Sequence, residues 1–396
     1  MTGVSVLSII PPDPKEHRLP MSELINREWE RMASRIRDPH HDWSASRIGL
    51  IGEQVVTVWA NFGLTMRIGS ARVPTAGVDC VVTHPDHRGK GYMALTANDA
   101  LAAARENGYG VAILNGITGF YEQFGFVAGW PGRSYTLTTK DLPTARPPFA
   151  LEDFSPSHRD DMAALYNAEN ETLTGTIVRP SYKTFKWPGT YSGYLWKSEG
   201  ECVLGYLVGD YKPASEEGAF FTCVDAAGDP AEIVRLAGLV ARQLNYERVR
   251  FDRLHFRSRL AEYLRQTGCV EEVRWVSSGD FMIAVLDLKG VLDRLTDELA
   301  QRLSRSNLSR WSGELTVKMG DEECTLGIEP GGVSVRAGGG AAHGVAGDTG
   351  LTRLLIGSDE SDAILSQSRT TVRGEAVDLL RALFPYQYPQ IAAVDL

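Results

Sequence analysis

The chain has 396 residues, which is long for one domain, so we expect two or three domains. Hydrophobic residues make up 43% and charged residues 23% of it, and no apolar run approaches the roughly 20 residues of a transmembrane helix. The net charge of −9, without a long basic stripe, argues against nucleic acid as the main partner and suits a cationic substrate. We therefore expect neither a nucleic-acid nor a membrane partner.

The cysteines are scattered singly along the chain, and no pair has the spacing of metal ligands. Reduced thiols in a cytoplasmic protein without a bound metal are the simplest interpretation. Cys80 lies in an apolar segment, which indicates a small core residue and not a nucleophile.

The first 65 residues predict the start of an α/β domain. Residues 5–10 predict a strand that the following prolines end, and no basic region precedes it, so we expect no signal peptide. A helix is expected over residues 21–37, and strands are expected over residues 47–51 and 54–65.

Residues 77–129 contain the most informative pattern. Residues 78–82 are apolar and mostly β-branched, which predicts a buried strand, and residues 84–86 (His-Pro-Asp) end it. A glycine-rich turn (Arg-Gly-Lys-Gly, residues 88–91) precedes a predicted helix over residues 92–107 and a strand over residues 111–114. The turn therefore lies before a helix N-terminus, where free N–H groups and the macrodipole favour an anion.

An ordinary βαβ crossover with a tight turn would give the same local pattern. The turn lacks the G-x-G-x-x-G spacing of dinucleotide folds, and Tyr92 replaces the Ser or Thr that ends a P-loop. The segment after the next strand favours the anion-binding interpretation, because residues 119–126 have the sequence GFYEQFGF.

Together these segments resemble the coenzyme A-binding core of the GNAT superfamily of N-acetyltransferases. In that family an Arg-x-x-Gly-x-Gly/Ala turn binds pyrophosphate, and a similar aromatic segment carries an acidic tyrosine. Met93 departs from the family pattern, as it does in the enhanced-intracellular-survival (Eis) type, which residues 73–77 (VPTAG) also resemble. The resemblance is clear over about the first third of the chain.

The resemblance implies that acetyl-coenzyme A is the co-substrate and that no metal takes part. It further implies that the coenzyme is bound by Val81, Val82, Thr83, Arg88, Gly89, Lys90, Gly91, Tyr92, Met93, Ala94, Asn115 and Gly116.

The predicted fold class is α/β (α+β), with tandem GNAT-like domains that have mixed central sheets and a C-terminal sterol-carrier-protein-like α/β domain. Residues 1–145 form the acetyl-coenzyme A domain, and residues 144–148 (TARPP) resemble a linker. Residues 146–289 lack the Arg-x-x-Gly turn. We expect helices over residues 161–169 and 232–246 and strands over residues 201–211 and 281–288. By resemblance they form a degenerate domain that shapes the substrate pocket and binds no coenzyme.

Residues 290–396 resemble the sterol-carrier-protein-like domain that closes Eis-type chains, to which we assign a structural role. We expect a helix over residues 291–303, a hairpin of strands 313–319 and 323–328, a mobile loop over 331–350, and helices over 351–357, 362–367 and 377–384.

Amide formation from a thioester requires a deprotonated amine, a polarised carbonyl and a protonated leaving thiolate. By resemblance Tyr121 is the acid, and the alternative is a core aromatic beside Phe120 and Phe124. By resemblance the base is the terminal carboxylate of Leu396, and the alternative is a packed chain end without a chemical role.

We predict an acetyl-coenzyme A-dependent N-acetyltransferase that acts by direct attack on an aminoglycoside-like or polyamine-like small molecule. One alternative keeps the chemistry but uses a natural-product amine or a protein lysine as acceptor. The other alternative is a lipid-binding protein with a relic acetyltransferase domain. The resemblance also implies a homo-oligomer, namely a hexamer.

Overall fold

The structure is a computed structural model that describes residues 6–29, 32–145, 149–180, 192–198, 202–209, 219–367 and 369–395. The chain forms two compact units. The first comprises residues 1–66, 71–129 and 277–385, and the second comprises residues 67–70, 130–276 and 386–396.

The helices of the described residues range from one to nearly five turns, and short 3₁₀ turns separate some of them. The α-helices are α1 (Arg18–Glu28), α2 (Tyr92–Glu106), α3 (Arg159–Glu169), α4 (Pro230–Gln243), α5 (Arg259–Thr267), α6 (Leu288–Ser304), α7 (Thr352–Leu355), α8 (Ser361–Gln367) and α9 (Ala376–Leu383). In this part of the chain, none combines the length and the apolar character that crossing a bilayer requires.

Within the described residues, the strands form three sheets. In chain order they are β1 (Leu7–Ile10), β2 (Arg47–Ile51), β3 (Gln54–Ile68), β4 (Ala71–Thr83), β5 (Val111–Gly116), β6 (Val127–Ala128), β7 (Gly132–Thr138), β8 (Leu151–Asp153), β9 (Ser192–Lys197), β10 (Val203–Gly209), β11 (Phe220–Ala227), β12 (Arg248–Asp252), β13 (Val270–Arg274), β14 (Asp280–Val285), β15 (Gly313–Met319), β16 (Glu322–Glu329), β17 (Gly332–Ala337), β18 (His343–Gly347) and β19 (Thr371–Arg373).

The first unit is built on a seven-stranded sheet with the order β1-β2-β3-β4-β5-β14-β6. Its neighbours β4 and β5 are parallel, and α2 is the crossover between them. The buried face of α2 presents small residues, including Ala97, Ala100 and Ala104, to a core that contains Trp59 and Leu114. Because alanine side chains are short, the helix packs close to the sheet and its N-terminus is held near the end of β4.

The second unit has a seven-stranded sheet with the order β13-β7-β12-β11-β10-β9-β8. Its parallel pair, β11 and β12, is connected through α4. Ile233 and Ala237 of this helix are fully buried against Phe221 and Phe251 of the sheet. This strand–helix–strand unit has the same order as β4–α2–β5 in the first unit.

The third sheet belongs to the first unit and has the order β17-β16-β15-β18-β19. Helix α6 packs against α9, and the buried Arg302 donates a 3.0 Å hydrogen bond to the carbonyl oxygen of Leu383. All three sheets contain both parallel and antiparallel neighbours, so the predicted mixed α/β fold class is confirmed.

Two sequence predictions of local structure were wrong. The helix predicted over residues 21–37 ends at Glu28, because Trp29 has extended backbone angles (φ −136°, ψ 101°), and a 3₁₀ turn follows at Met32–Arg37. The loop predicted over residues 331–350 contains β17 and β18, because β16 and β15 supply ladder partners that a local sequence pattern does not contain.

The predicted domain boundaries at residues 145 and 289 remain predictions. In the structure β7, which precedes the first boundary, pairs within the second sheet. Similarly, β14, which precedes the second boundary, pairs with β5 in the first sheet.

Candidate active site

A cleft opens where β4 and β5 stop pairing. Their parallel ladder joins Thr75–Gly77 to Val111–Ile113, but β4 continues to Thr83 and β5 to Gly116. In β4 the backbone of Cys80 has φ 52°, and its N–H donates a 2.7 Å hydrogen bond to the Asp79 carboxylate. A positive φ at a residue other than glycine bends a strand out of its ladder, as a β-bulge does. A cleft lies beyond the end of this ladder, and Val81, Val82 and Thr83 of β4 line it.

The cleft has a volume of about 530 Å³, which is within the usual range for a small-molecule site. Its lining is mostly apolar, and a few charged or polar groups lie among these side chains. The lining residues are Glu28, Trp29, Val81, Val82, Thr83, His87, Arg88, Gly89, Gly91, Tyr92, Met93, Ala94, Ile117, Phe120, Tyr121, Gln123 and Phe124.

The turn at the end of the cleft depends on two glycines in the left-handed conformation. Gly89 has φ 72°, and Gly91, the N-cap residue of α2, has φ 75°. A Cβ atom at either position would meet nothing within 4 Å. Glycine is therefore favoured here by the backbone angles and not by lack of space, since an L-residue in this region is strained by about 1–2 kcal/mol.

The N-terminus of α2 is open towards the cleft. It has no side-chain cap and no acidic residue in its first turn, and Tyr92, Met93 and Ala94 line the cleft. The first N–H groups of a helix have no partner within the helix, and the macrodipole adds positive potential there. This arrangement favours a bound anion such as a phosphate.

The two cations of the turn are placed differently. Arg88 lines the cleft, donates from Nε to the carbonyl oxygen of Thr83 at 3.2 Å, and pairs through Nη2 with the Glu28 carboxylate at 2.6 Å. The ammonium of Lys90 instead donates to the carbonyl oxygen of Asp86 at 2.9 Å, and Lys90 is not among the described residues that line the cleft. Of the two, Arg88 is the one placed to contact a ligand.

Tyr121 faces the cleft from the loop after β5. It begins a 3₁₀ turn that Gly125 ends, and its ring makes an edge contact with Phe120 at a centroid distance of 4.9 Å. Within the described part of the chain, no hydrogen-bond partner is found for its hydroxyl group. Burial, with a smaller contribution from the charge of Asp79, raises the pKa of Tyr121 to about 12, so the hydroxyl is protonated at neutral pH.

Asn115 and Gly116, which were predicted to bind the coenzyme, are not among the described lining residues. A Cβ atom on Gly116 would lie 2.8 Å from Cδ2 of Tyr121, so glycine at this position leaves room for the tyrosine ring.

Several lining residues were not predicted as site residues. Ile117, Phe120, Gln123 and Phe124 lie in or next to the aromatic segment, whose spacing already indicated a site. His87 lies in the turn itself. Glu28 and Trp29 come from the end of α1, far away in sequence, and no motif connects them to the turn.

The chain end is anchored in the second unit. Leu396 itself lies outside the described residues, but Asp395 is fully buried. Its carboxylate accepts hydrogen bonds from Nε of Arg179 at 2.8 Å and from the hydroxyl of Tyr166 at 3.1 Å. Arg179 also donates to the Asp225 carboxylate at 2.6 Å. A terminus held by a buried ion pair has a defined position, in contrast to most chain ends.

Solved structures with the same fold cover almost the whole chain. A probable N-acyltransferase of unknown function from Enterococcus faecalis and a GCN5-related N-acetyltransferase from Anabaena variabilis each match with a TM-score of 0.75 and 15% identity, over 98% of this chain and 99% of that chain. Eis1 from Mycobacterium abscessus matches with a TM-score of 0.67 and 15% identity, over 96% of this chain and 97% of that chain. At this identity the likeness shows a shared fold.

A comparison with curated protein sequences finds no match. The family described as "Acetyltransferase (GNAT) domain" matches residues 20–129, a range that includes the cleft walls, the glycine turn and Tyr121. Residues 20–129 of the chain therefore correspond to a GNAT acetyltransferase domain, which confirms the predicted enzyme class, an N-acetyltransferase.

Proposed function

We propose that this protein transfers the acetyl group of acetyl-coenzyme A to an amine of a cationic, aminoglycoside-like or polyamine-like small molecule. The observation that carries this proposal is that the open N-terminus of α2 and the hydroxyl-bearing Tyr121 line one cleft. An anion site and a proton donor in a single cavity are what a coenzyme A thioester requires at its two ends.

The coenzyme fits the cleft as follows. The N–H groups of Tyr92, Met93 and Ala94 would hold its pyrophosphate, and Arg88 would supply a compensating charge. Val81, Val82 and Thr83, on the part of β4 that no longer pairs with β5, would hold its pantetheine arm. The left-handed glycines support this assignment, because they keep the approach to the helix N-terminus free of side chains.

The corresponding helix of the second unit is closed to anions. Asp229 caps α4 by accepting hydrogen bonds from the N–H groups of Ala231 at 3.0 Å and Glu232 at 3.1 Å, and Glu232 places a second carboxylate in the first turn. A phosphate at this position would meet two negative charges and occupied donors. This supports the proposal that the second unit binds no coenzyme.

The proposed reaction forms one C–N bond and breaks one C–S bond. The neutral amine attacks the thioester carbonyl, whose oxygen is stabilised by N–H groups of β4. When the tetrahedral intermediate collapses, the Tyr121 hydroxyl donates to the leaving thiolate. The proton released by the amine goes to the base, and a proton returned through solvent replaces the one that Tyr121 has donated, so the products are an amide and free coenzyme A.

We propose the terminal carboxylate of Leu396 as that base. The structure supports this proposal through the buried contact of Asp395 with Arg179 and Tyr166, which holds the chain up to the residue before Leu396. A free α-carboxyl group has a pKa of about 3.3–3.7, too low for an efficient base at neutral pH. The proposed role therefore requires an environment that raises this pKa, such as burial or a neighbouring carboxylate.

We further propose that the third sheet and its helices form the sterol-carrier-protein-like domain with a structural role, and that the protein assembles as a hexamer. Both proposals rest on the resemblance of the sequence, and sedimentation of the full-length protein tests the second.

An amine panel tests the function as a whole. Kanamycin, spermidine, tryptamine and a lysine peptide are each incubated with the enzyme and acetyl-coenzyme A, and the release of coenzyme A thiol is followed. We expect acetyl-coenzyme A to raise the Tm and the polycations to be acetylated fastest. A Tm that rises with palmitate but not with acetyl-coenzyme A would instead identify a lipid-binding protein.

Gly91→Glu tests the anion site. We expect coenzyme binding to be lost, because the new carboxylate would occupy the phosphate position. Gly91→Ala is the matched control, since it introduces the same backbone strain without charge and should retain most of the affinity. Calorimetric titration with acetyl-coenzyme A provides the measurement, and equal affinities of the two variants would contradict the assignment.

Tyr121→Phe tests the acid. We expect kcat to fall by about 10²–10⁴-fold with little change in coenzyme affinity. Because the pKa of Tyr121 is raised to about 12, the wild-type kcat should not decline between pH 8 and 10 through ionisation of this tyrosine. Tyr109→Phe, which removes a hydroxyl bound to Asp42 outside the cleft, is the control and should keep normal turnover. Normal turnover of Tyr121→Phe would make Tyr121 a packing residue.

Changes at the chain end test the base. A short tag after Leu396 should abolish turnover but leave acetyl-coenzyme A binding unchanged, whereas the same tag before Met1 should be tolerated. Leu396→Phe should retain far more activity than deletion of Leu396, because the main-chain carboxylate is the reactive group. Full turnover of the C-terminally tagged enzyme would show that the chain end has a structural role and no catalytic one.

A further inference from the structure

Glu28 occupies an unfavourable position for the helix that contains it. It is the last residue of α1, where the negative end of the macrodipole repels a carboxylate. Its side chain nevertheless lines the cleft, and Trp29, with 42% of its surface exposed, lines the cleft beside it. Helix stability therefore does not explain the charge at residue 28, and its place in the cleft suggests a ligand.

The charge of Glu28 is compensated by Arg88 of the glycine-rich turn (residues 88–91). Its Oε2 atom lies 2.6 Å from Nη2 of Arg88, and the two side chains are 25% and 53% exposed. Ion pairs at such exposure are weak and easily exchanged. A pyrophosphate carries more charge than one carboxylate and is also bound by the helix N–H groups, so it competes effectively for Arg88.

No other carboxylate among the described lining residues is available to a cationic acceptor. Asp79 lies near Tyr121, but its carboxylate pairs with Arg35 at 2.5 Å and accepts the N–H of Cys80. Glu28 has a different environment, because its one partner among the described residues, Arg88, is itself a proposed ligand of the coenzyme.

We propose that Glu28 binds the ammonium group of the acceptor, and that Arg88 masks it until acetyl-coenzyme A arrives. The inference rests on the proposed function and adds a specificity residue and an order of binding to it. When the pyrophosphate takes over Arg88, the Glu28 carboxylate loses its partner and attracts a cation. The exposed face of Trp29 adds a cation–π contact for an ammonium group. The acceptor class is therefore an amine that carries a second positive charge in addition to the reacting nitrogen.

The exchange makes the binding of the two substrates cooperative. If the coenzyme increases the affinity for the amine by a given factor, the amine increases the affinity for the coenzyme by the same factor. In the absence of the coenzyme, Glu28 and Arg88 neutralise each other, so neither side chain is fully available to its own substrate. This favours an order in which acetyl-coenzyme A binds first.

Glu28→Gln in the full-length enzyme separates this role from a structural one, because the apparent affinities for the two substrates should change in opposite directions. The Kd for acetyl-coenzyme A should fall by about two- to fivefold, since Arg88 is released from a half-exposed ion pair. The KM for spermidine or kanamycin, whichever the panel shows to be acetylated, should rise by about five- to tenfold with kcat little changed. Glu23→Gln on the exposed face of the same helix is the matched control and should alter neither value.

A second variant tests whether Arg88 transmits the effect. In an Arg88→Ala background, Glu28→Gln should no longer tighten coenzyme binding, because no ion pair remains to be released. An unchanged or increased Kd for acetyl-coenzyme A in Glu28→Gln overturns the masking by Arg88, and an unchanged KM for the acetylated amine overturns the binding of the acceptor by Glu28. Failure of the wild-type protein to bind acetyl-coenzyme A would instead refute the proposed function itself.

Discussion

The short ladder between β4 and β5 is the constraint on which the site depends. Three residue pairs hold the strands together, and then the backbone of Cys80 turns β4 away through a positive φ. Beyond this point β4 no longer pairs with β5. Residues 81–83 and the N-terminal residues of α2 therefore line one cleft, and the Gly116 position leaves space there for Tyr121.

The two units show how one arrangement of strands and helices gives different electrostatic results. Both contain a parallel strand pair connected by a helix, and both helices begin near the end of the first strand. In the first unit the helix follows a glycine without an acidic neighbour, whereas in the second an aspartate caps it and a glutamate follows. A capping aspartate stabilises a helix by about 0.5–2 kcal/mol. Helix α2 lacks this stabilisation, and its free donors are the property that a phosphate ligand uses.

Local segments of the fold could be predicted from the sequence, and distant contacts could not. The strand, turn and helix of residues 78–107 are contiguous, so apolar periodicity and two glycines were sufficient to predict them. The contact of Glu28 with Arg88 and that of Arg179 with Asp395 join residues far apart in sequence, and no spacing rule indicates them. The strands at residues 332–337 and 343–347 were missed for a related reason, since glycine-rich segments form strands when a neighbouring strand supplies the partner groups.

The environment of Tyr121 bears on how it can act. A phenol with a pKa of about 12 is a weaker acid than a free thiol, whose pKa is about 8.5, so complete proton transfer to a solvated thiolate would be unfavourable by more than 4 kcal/mol. The same burial that raises the pKa of Tyr121 also destabilises a thiolate that forms beside it, because both groups become anionic on losing a proton. Their pKa values therefore approach each other at the moment the C–S bond breaks. A hydrogen bond that strengthens only at that moment lowers the barrier without binding the ground-state thioester more tightly. The high pKa of the tyrosine is thus compatible with its proposed role, and a bound coenzyme that excluded water from the cleft would supply the condition under which that role is effective.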